Sequence, residues 1–138
     1  MAKGIREIMT SKPRTIDADK SVTDAAKMLR DENIGLAPIV EGDRLVGTLT
    51  DRDIATRVVA EGRDPEATRV REVASTDLVT VDPQQDLDDA LRLMAEHQVR
   101  RIPVVEEDGR LVGIVAQADI ARQRDDVKTG EVVERISQ

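Results

Sequence analysis

No cysteine occurs in the 138 residues, which excludes disulfides, thiolate metal sites, iron–sulfur clusters and cysteine nucleophiles together. Phenylalanine, tyrosine and tryptophan are absent as well, removing the stacking platforms on which readers of RNA and single strands depend. A purine bound here must lie between aliphatic side chains. The lone histidine, His97, has no Cys or second His to complete a metal site, and it reads as the C-terminal residue of an acid-rich helix. No stretch approaches the ~18 consecutive apolar residues of a membrane span. The start, Met1-Ala2-Lys3-Gly4-Ile5-Arg6, lacks the apolar core of a signal peptide, so a cytoplasmic location and no membrane partner are expected. Positive charge is in deficit. Twenty-one Lys and Arg against 28 Asp and Glu leave a net charge of −7, which argues against nucleic acid, whose binding rests on neutralising phosphates.

What the chain does have is aliphatic residues: apolar types make up 39% of it, enough to predict a folded protein. Its length suits one compact domain or two small ones, not a large multidomain enzyme. The sequence is also an internal duplication. At an offset of 65, Ile5-Arg6-Glu7-Ile8 lies over Val70-Arg71-Glu72-Val73, Thr15-Ile16-Asp17 over Thr80-Val81-Asp82, and Ala37-Pro38-Ile39-Val40-Glu41 over Ile102-Pro103-Val104-Val105-Glu106. The offset becomes 66 from Arg44-Leu45-Val46-Gly47 over Arg110-Leu111-Val112-Gly113 onward. The added residue falls where Gly42-Asp43 becomes Glu107-Asp108-Gly109, a turn that tolerates insertion.

Each copy predicts the same elements. A leader helix (Ile5–Met9, Thr68–Ala74) precedes a brief strand (Arg14–Asp17, Val79–Val81). A helix follows, with an apolar stripe of Val22, Ala25, Ala26 and Leu29, or Leu87, Ala90, Leu91 and Met94. Two β-rich runs joined by the acidic turn then form a hairpin, Leu36–Glu41 with Arg44–Thr50 and Arg101–Glu106 with Arg110–Ala116, and a second helix starts at Asp51 or Gln117. Copies at 1–62 and 63–124 are expected, joined through the loop Glu61-Gly62-Arg63-Asp64-Pro65. The tail at 125–138 is expected to be helical, with Val132, Val133 and Ile136 on one face. A single ~60-residue copy is marginal alone, so the copies should pack on each other through their sheets.

The segment Ile34-Gly35-Leu36-Ala37-Pro38-Ile39-Val40 with Arg44-Leu45-Val46-Gly47-Thr48-Leu49-Thr50-Asp51-Arg52-Asp53-Ile54 resembles the cystathionine-β-synthase (CBS) domain pair, or Bateman module. So does the second copy, His97-Gln98-Val99-Arg100-Arg101-Ile102-Pro103 with Arg110-Leu111-Val112-Gly113-Ile114-Val115 and Asp119-Ile120. The resemblance runs from Ile5 to Arg122 and extends to stand-alone bacterial members, stress-response proteins among them. It implies an α/β fold of two β-α-β-β-α repeats with pseudo-twofold symmetry, and an adenine nucleotide (AMP, ADP or ATP class) in the cleft between the repeats. It further implies a ribose site of the form Gly-x-x-Thr/Ser-x-x-Asp, which Gly47, Thr50 and Asp53 complete in copy one. Read from the residues alone, Thr50-x-x-Asp53 is equally a capping box, a helix start needed for stability only. Copy two keeps Asp119 but has Ala116 where the hydroxyl should be, whereas its Arg100 and Arg101 stand where the family places cations against phosphates. One hybrid site, with Thr50 and Asp53 on the ribose and Arg100 and Arg101 on the phosphate, is the sharpest reading; the plain alternative for the arginines is a solvated or acid-paired surface. Purine contacts are expected from Ile16, Ile34, Gly35, Leu36, Ala37 and Pro38, and in the mirrored cleft from Val81 and Val99, Arg100, Arg101, Ile102 and Pro103; the aliphatics among them must in part be core. Arg52 is a further phosphate candidate, and Asp51 with Asp53 a weak Mg²⁺ site accompanying the nucleotide.

An enzyme needs a nucleophile with a base, a metal cage or paired carboxylates in a pocket, and none is specified here. The function expected is therefore non-catalytic: a ligand-sensing module that signals to an unidentified downstream protein by conformational change, with no required cofactor. A ligand-independent dimerisation scaffold is the alternative. A homodimer is expected under both, with Val58, Val59 and Ile120 as faces needing cover.

Overall fold

The computed structural model describes residues 4–123. The helix expected over 125–138 lies outside the described residues. Twelve short elements and one helical continuation follow in chain order: α1 (Ile5–Ile8), β1 (Thr10–Ser11), β2 (Ile16–Asp17), α2 (Val22–Glu32), β3 (Leu36–Glu41), β4 (Arg44–Thr50), α3 (Asp51–Ile54) with its π-helical continuation Ala55–Val59, α4 (Val70–Val73), α5 (Leu87–His97), β5 (Arg101–Val105), β6 (Leu111–Ala116) and α6 (117–123).

The duplication is visible in how the helices begin and end. Ser21 Oγ accepts the Asp24 N–H at the start of α2, and Asp86 accepts the Asp89 N–H at the start of α5, satisfying donors that the first helical turn leaves over. Asn33 and Gln98 close the same two helices in the left-handed conformation, at φ 53° and 54°. The buried stripe of α2 differs from the sequence expectation. Met28 is buried and Ala26 is exposed, because the face centres on Ala25 and the position at 26 turns out of it.

The residues sort into two compact units that cut across the sequence copies. The Thr50 unit comprises Lys12–Leu78 with Val105–Leu111. Its sheet runs β2-β3-β4, β2 parallel to β3 (Ile16 opposite Ile39) and β3 antiparallel to β4 (Leu36 opposite Thr50). The outer edge of β4 is joined by Ser75, which exchanges both backbone hydrogen bonds with Thr48, at 3.0 and 2.8 Å. Ser75 follows α4, the leader of copy two. In the Arg101 unit, the sheet runs β1-β6-β5, with Thr10 opposite Ile114 and Ser11 opposite Gly113. Here β1, from the leader of copy one, covers the matching edge of β6, and Val81 bridges Val104 on the other side. Each leader thus completes the sheet of the other copy, closing an edge whose N–H and C=O groups would otherwise lack partners.

Core packing follows this exchange. Val70 and Val73 of α4 lie in the core with Ile16, Ala25, Leu29, Ile39, Leu49 and Val58, while Ile5 of α1 is fully buried with Val81, Ala90, Met94, Ile102, Val104 and Ile120. The hairpin tip of copy two also belongs to the Thr50 unit, where the Leu45 N–H donates to the Gly109 carbonyl and the Leu111 N–H to the Asp43 carbonyl. Val58 and Ile120 are 0% exposed, which corrects the expectation that they need cover from a second copy; only Val59, at 69%, is an exposed apolar face there. The reason is local: Val58 and Ile120 point inward as the second helix of each copy packs on its own sheet.

Candidate functional site

Strand pairing in the Thr50 unit gathers one end of its sheet. The start of β3 lies beside the end of β4, since Leu36 is opposite Thr50 and the Asp51 N–H donates to the Gly35 carbonyl at 3.2 Å. Ile34, Gly35, Leu36, Thr50 and Asp53 are half-buried there, with Asp51 and Arg52 exposed. A Cβ on Gly35 would stand 3.6 Å from Asp51 Oδ2, ordinary contact, so that glycine is not demanded by crowding.

Thr50 is the N-cap of α3 and makes the capping box foreseen in its sequence. Its Oγ1 accepts the Asp53 N–H at 3.0 Å, and Asp53 Oδ2 accepts the Thr50 N–H at 2.9 Å. This box uses acceptor functions only. The Thr50 hydroxyl proton and Asp53 Oδ1 remain, one donor and one acceptor held in fixed rotamers, a combination suited to a vicinal diol. Arg57 Nε lies 3.8 Å from Asp53 Oδ1, within ion-pair reach and beyond hydrogen-bond length. Asp51 turns to its own helix start, its Oδ1 accepting the Arg52 N–H at 2.8 Å. Among the described residues no group of three His, Cys, Asp or Glu side chains comes together.

The corresponding end of the Arg101 unit is built differently. The Gln117 N–H donates to the Arg100 carbonyl at 2.7 Å, matching the bond from Asp51 to Gly35, but Ala116 offers no cap and Asp119 Oδ1 faces Arg122 Nη2 at 3.7 Å. Arg100 is exposed and Arg101 half-buried, and neither guanidinium has a hydrogen-bond or ion-pair partner among the described residues.

The aliphatic candidates divide by burial. Ile16, Ala37, Val81 and Ile102 have at most 6% exposure and lie in the two cores, and Pro38 and Pro103 are buried in their strands. Ile34, Gly35 and Leu36 keep surface. His97 ends α5 and is exposed, a helix-terminal residue as its neighbours suggested. Gly47 does permit a close approach, but by the protein itself: a Cβ there would meet Ala74 Cβ and the Ser75 carbonyl oxygen, both at 3.1 Å. Gly113 repeats this against Met9 and Thr10. Sequence reasoning missed Arg57. Its spacing of four from Asp53 on one helix was the available signal.

The clearest pKa shifts lie away from this end. Hydrogen bonding from Arg71 holds Asp19 below the usual carboxylate range, against a smaller desolvation cost, and Arg71, bonded to Asp19 and Glu41, is raised in turn. Glu72 is lowered, first by the Arg69 backbone N–H that it accepts at 2.7 Å and, beyond desolvation, by Arg63. These groups fasten α4 to its unit.

A repeated sheet flanked by helices, with a capped strand-to-helix turn at its end, is the build of a CBS domain. The CBS-domain family profile matches residues 5–60 and 70–126, and the chain belongs to that family. CBS-domain pairs are non-catalytic regulatory modules. The chain is 42% identical over 134 residues to the CBS domain-containing protein YhcV of Bacillus subtilis, covering 96% of this chain and 94% of that one. Over 118 residues it is 43% identical to Hypoxic response protein 1 of Mycobacterium tuberculosis, with 85% and 82% covered. The crystal structure of Hypoxic Response Protein I with two coordinated zinc ions matches at a TM-score of 0.80 and 42% identity, covering 87% of this chain and 98% of that chain. The CBS domain pair of protein MJ0100, in complex with 5′-methylthioadenosine and S-adenosyl-L-methionine, matches at 0.80 and 28% identity, covering 91% and 98%. No described helix is long and apolar enough to cross a membrane.

Proposed function

We propose that this protein is a regulatory module that binds an adenine nucleotide and signals by a change of conformation. The observation carrying this reading is the capping box at Thr50 and Asp53, which leaves a hydroxyl donor and a carboxylate acceptor beside the half-buried Ile34–Leu36 segment. Because the cap already fixes both rotamers, little further ordering is needed on binding. Arg100 and Arg101, without a partner among the described residues, are the charge this reading assigns to a phosphate. Charge-assisted hydrogen bonds contribute ~1.5–3 kcal/mol each, so three of them with purine burial reach the ~8 kcal/mol of a micromolar complex. The adenosine compounds in the MJ0100 pair, which carry no phosphate, support the adenosine part of this reading. Zinc, coordinated in the Hypoxic Response Protein I structure, would here need carboxylate ligands beside the single His, and among the described residues no three such side chains come together.

Calorimetry and thermal shift against AMP, ADP, ATP, S-adenosylmethionine and adenosine test the proposal. At 100 times its dissociation constant a ligand adds ~2.7 kcal/mol, a shift of several degrees. Asp53→Ala abolishes binding, and Asp119→Ala costs much less. Arg101→Ala weakens nucleotides and spares adenosine; loss of both alike removes its phosphate role. A double-mutant cycle between Asp53 and Arg101 decides whether the two serve one ligand. If none of the compounds binds, the scaffold function replaces the sensor. Light scattering tests the homodimer, for which Val59 and Leu78 are exposed apolar contacts among the described residues, and monomeric elution at micromolar concentration ends that claim.

A further inference from the structure

We infer that Arg57 is a positioning residue that links occupancy of Asp53 to the docking of the second copy's leader, a regulatory role that rests on the nucleotide reading of the same site. Arg57 belongs to the π-helical segment Ala55–Val59, where the Ala60 N–H reaches back to the Ala55 carbonyl. Such segments are rare and concentrate at functional sites. Its guanidinium has two partners. Nη1 donates to the Val73 carbonyl at 2.9 Å, and Nε stands 3.8 Å from Asp53 Oδ1.

Both partners occupy decisive positions. Val73 is the last residue of α4, 4% exposed, and its carbonyl is one that a helix end leaves without an internal partner. Two residues further on, Ser75 pairs with Thr48 and completes the sheet. Asp53 Oδ2 is engaged by the Thr50 N–H, so Oδ1 is the oxygen for which a ribose hydroxyl and Arg57 compete. A ligand on Oδ1 weakens the pull of Asp53 on the guanidinium and leaves Arg57 to the Val73 carbonyl. The leader is then held more firmly. Among the described residues the other copy has no such link, since Gln123 stands at the position matching Arg57 and Asp119 pairs with Arg122. Residues 9–11, which match 74–76 in the first copy's leader, are therefore an internal control.

Hydrogen exchange on the full chain, with and without AMP or whichever adenine compound calorimetry shows to bind, tests the link. In the absence of ligand, Arg57→Ala should speed exchange at residues 74–76 about tenfold, the loss of one charge-assisted bond, while residues 9–11 keep their rates. Arg57→Lys keeps the charge near Asp53 but not the forked reach to Val73, so it should behave similarly and carries the test if the alanine variant does not fold. Ligand should slow exchange at 74–76 in the wild type and leave these residues unchanged in either variant, although binding persists. Equal slowing in wild type and variants overturns the link alone, as does an even rise in exchange over both leaders. Failure of the wild type to bind any of the compounds overturns the site reading and this role with it.

Discussion

Replacing Ile5 with alanine tests the exchange of leaders more directly than any other single change. Ile5 sits in a four-residue helix near the N-terminus, a place where truncation normally has little effect. In the structure it is 0% exposed and packed with Val81, Leu87, Ile102 and Val115 of the other copy, and its N–H donates to the Gln85 carbonyl at 3.1 Å. Losing three side-chain carbons forfeits ~2.4 kcal/mol at ~0.8 per carbon, and the cavity left among rigid strand residues raises the cost to ~3–4 kcal/mol. Against a typical stability of ~5–15 kcal/mol this is severe. With a urea m-value of ~2 kcal/mol/M, the unfolding midpoint should fall by ~1.5–2 M at unchanged slope. Glu7→Ala, on the exposed side of the same helix, should stay within ~0.5 kcal/mol. An Ile5→Ala midpoint indistinguishable from that of Glu7→Ala would mean that the first leader is not docked, and the exchanged arrangement would fail with it.

Three further outcomes follow from the geometry. Gly113→Ala forces a Cβ to within 2.5 Å of Met9 Sδ and 3.0 Å of the Thr10 carbonyl oxygen, so it should cost ~1–3 kcal/mol in chemical denaturation; Gly47→Ala, with both contacts at 3.1 Å, should cost less. Thr50→Ala removes the acceptor of the Asp53 N–H and should lower stability by ~0.5–2 kcal/mol without any ligand, whereas Thr50→Ser should retain most of the cap, as read by thermal unfolding. Asp19 and Glu72 have folded pKa values below their ordinary 3.8 and 4.5, so in acid the unfolded chain binds more protons. The stability they add is fully present above those ordinary values and disappears as pH falls through the lowered ones. Arg71→Gln should flatten the part of this acid dependence due to Asp19, measured as midpoint against pH, and an unchanged slope would show that the Arg71 contact does not persist in solution.

The parts legible in the sequence were those encoded by near neighbours. The hairpin runs Leu36–Glu41 and Arg44–Thr50 coincide with β3 and β4, because short apolar, β-prone runs on either side of a Gly-Asp turn specify an antiparallel pair locally, while the register shift between Ile39 and Val40 was not legible. The Thr50-x-x-Asp53 spacing announced the capping box for the same reason, since all its partners lie within one helical turn. The outward turn of Ala26 was not legible, as alanine satisfies either face of a helix and only the packing of Met28 chooses between them. Arg57 was half legible. Asp53 is four residues away, but the Val73 carbonyl is sixteen, and nothing local joins them.

By itself, then, the chain determined its repeat, its two longer helices, its two hairpins and the residue types at each strand-to-helix turn, all set by periodicity and by contacts a few residues apart, whereas the strand expected at Val79–Val81 is reduced to a single bridge at Val81. Which sheet each leader would complete was decided only by the tertiary structure. A two-residue strand and a four-residue helix carry too few side chains to select an edge, and the duplicated copies present two edges of the same kind. The choice depends on where the polypeptide emerges from the preceding helix and on the space over Gly47 and Gly113, which lets the backbone of the other copy's leader lie against the sheet.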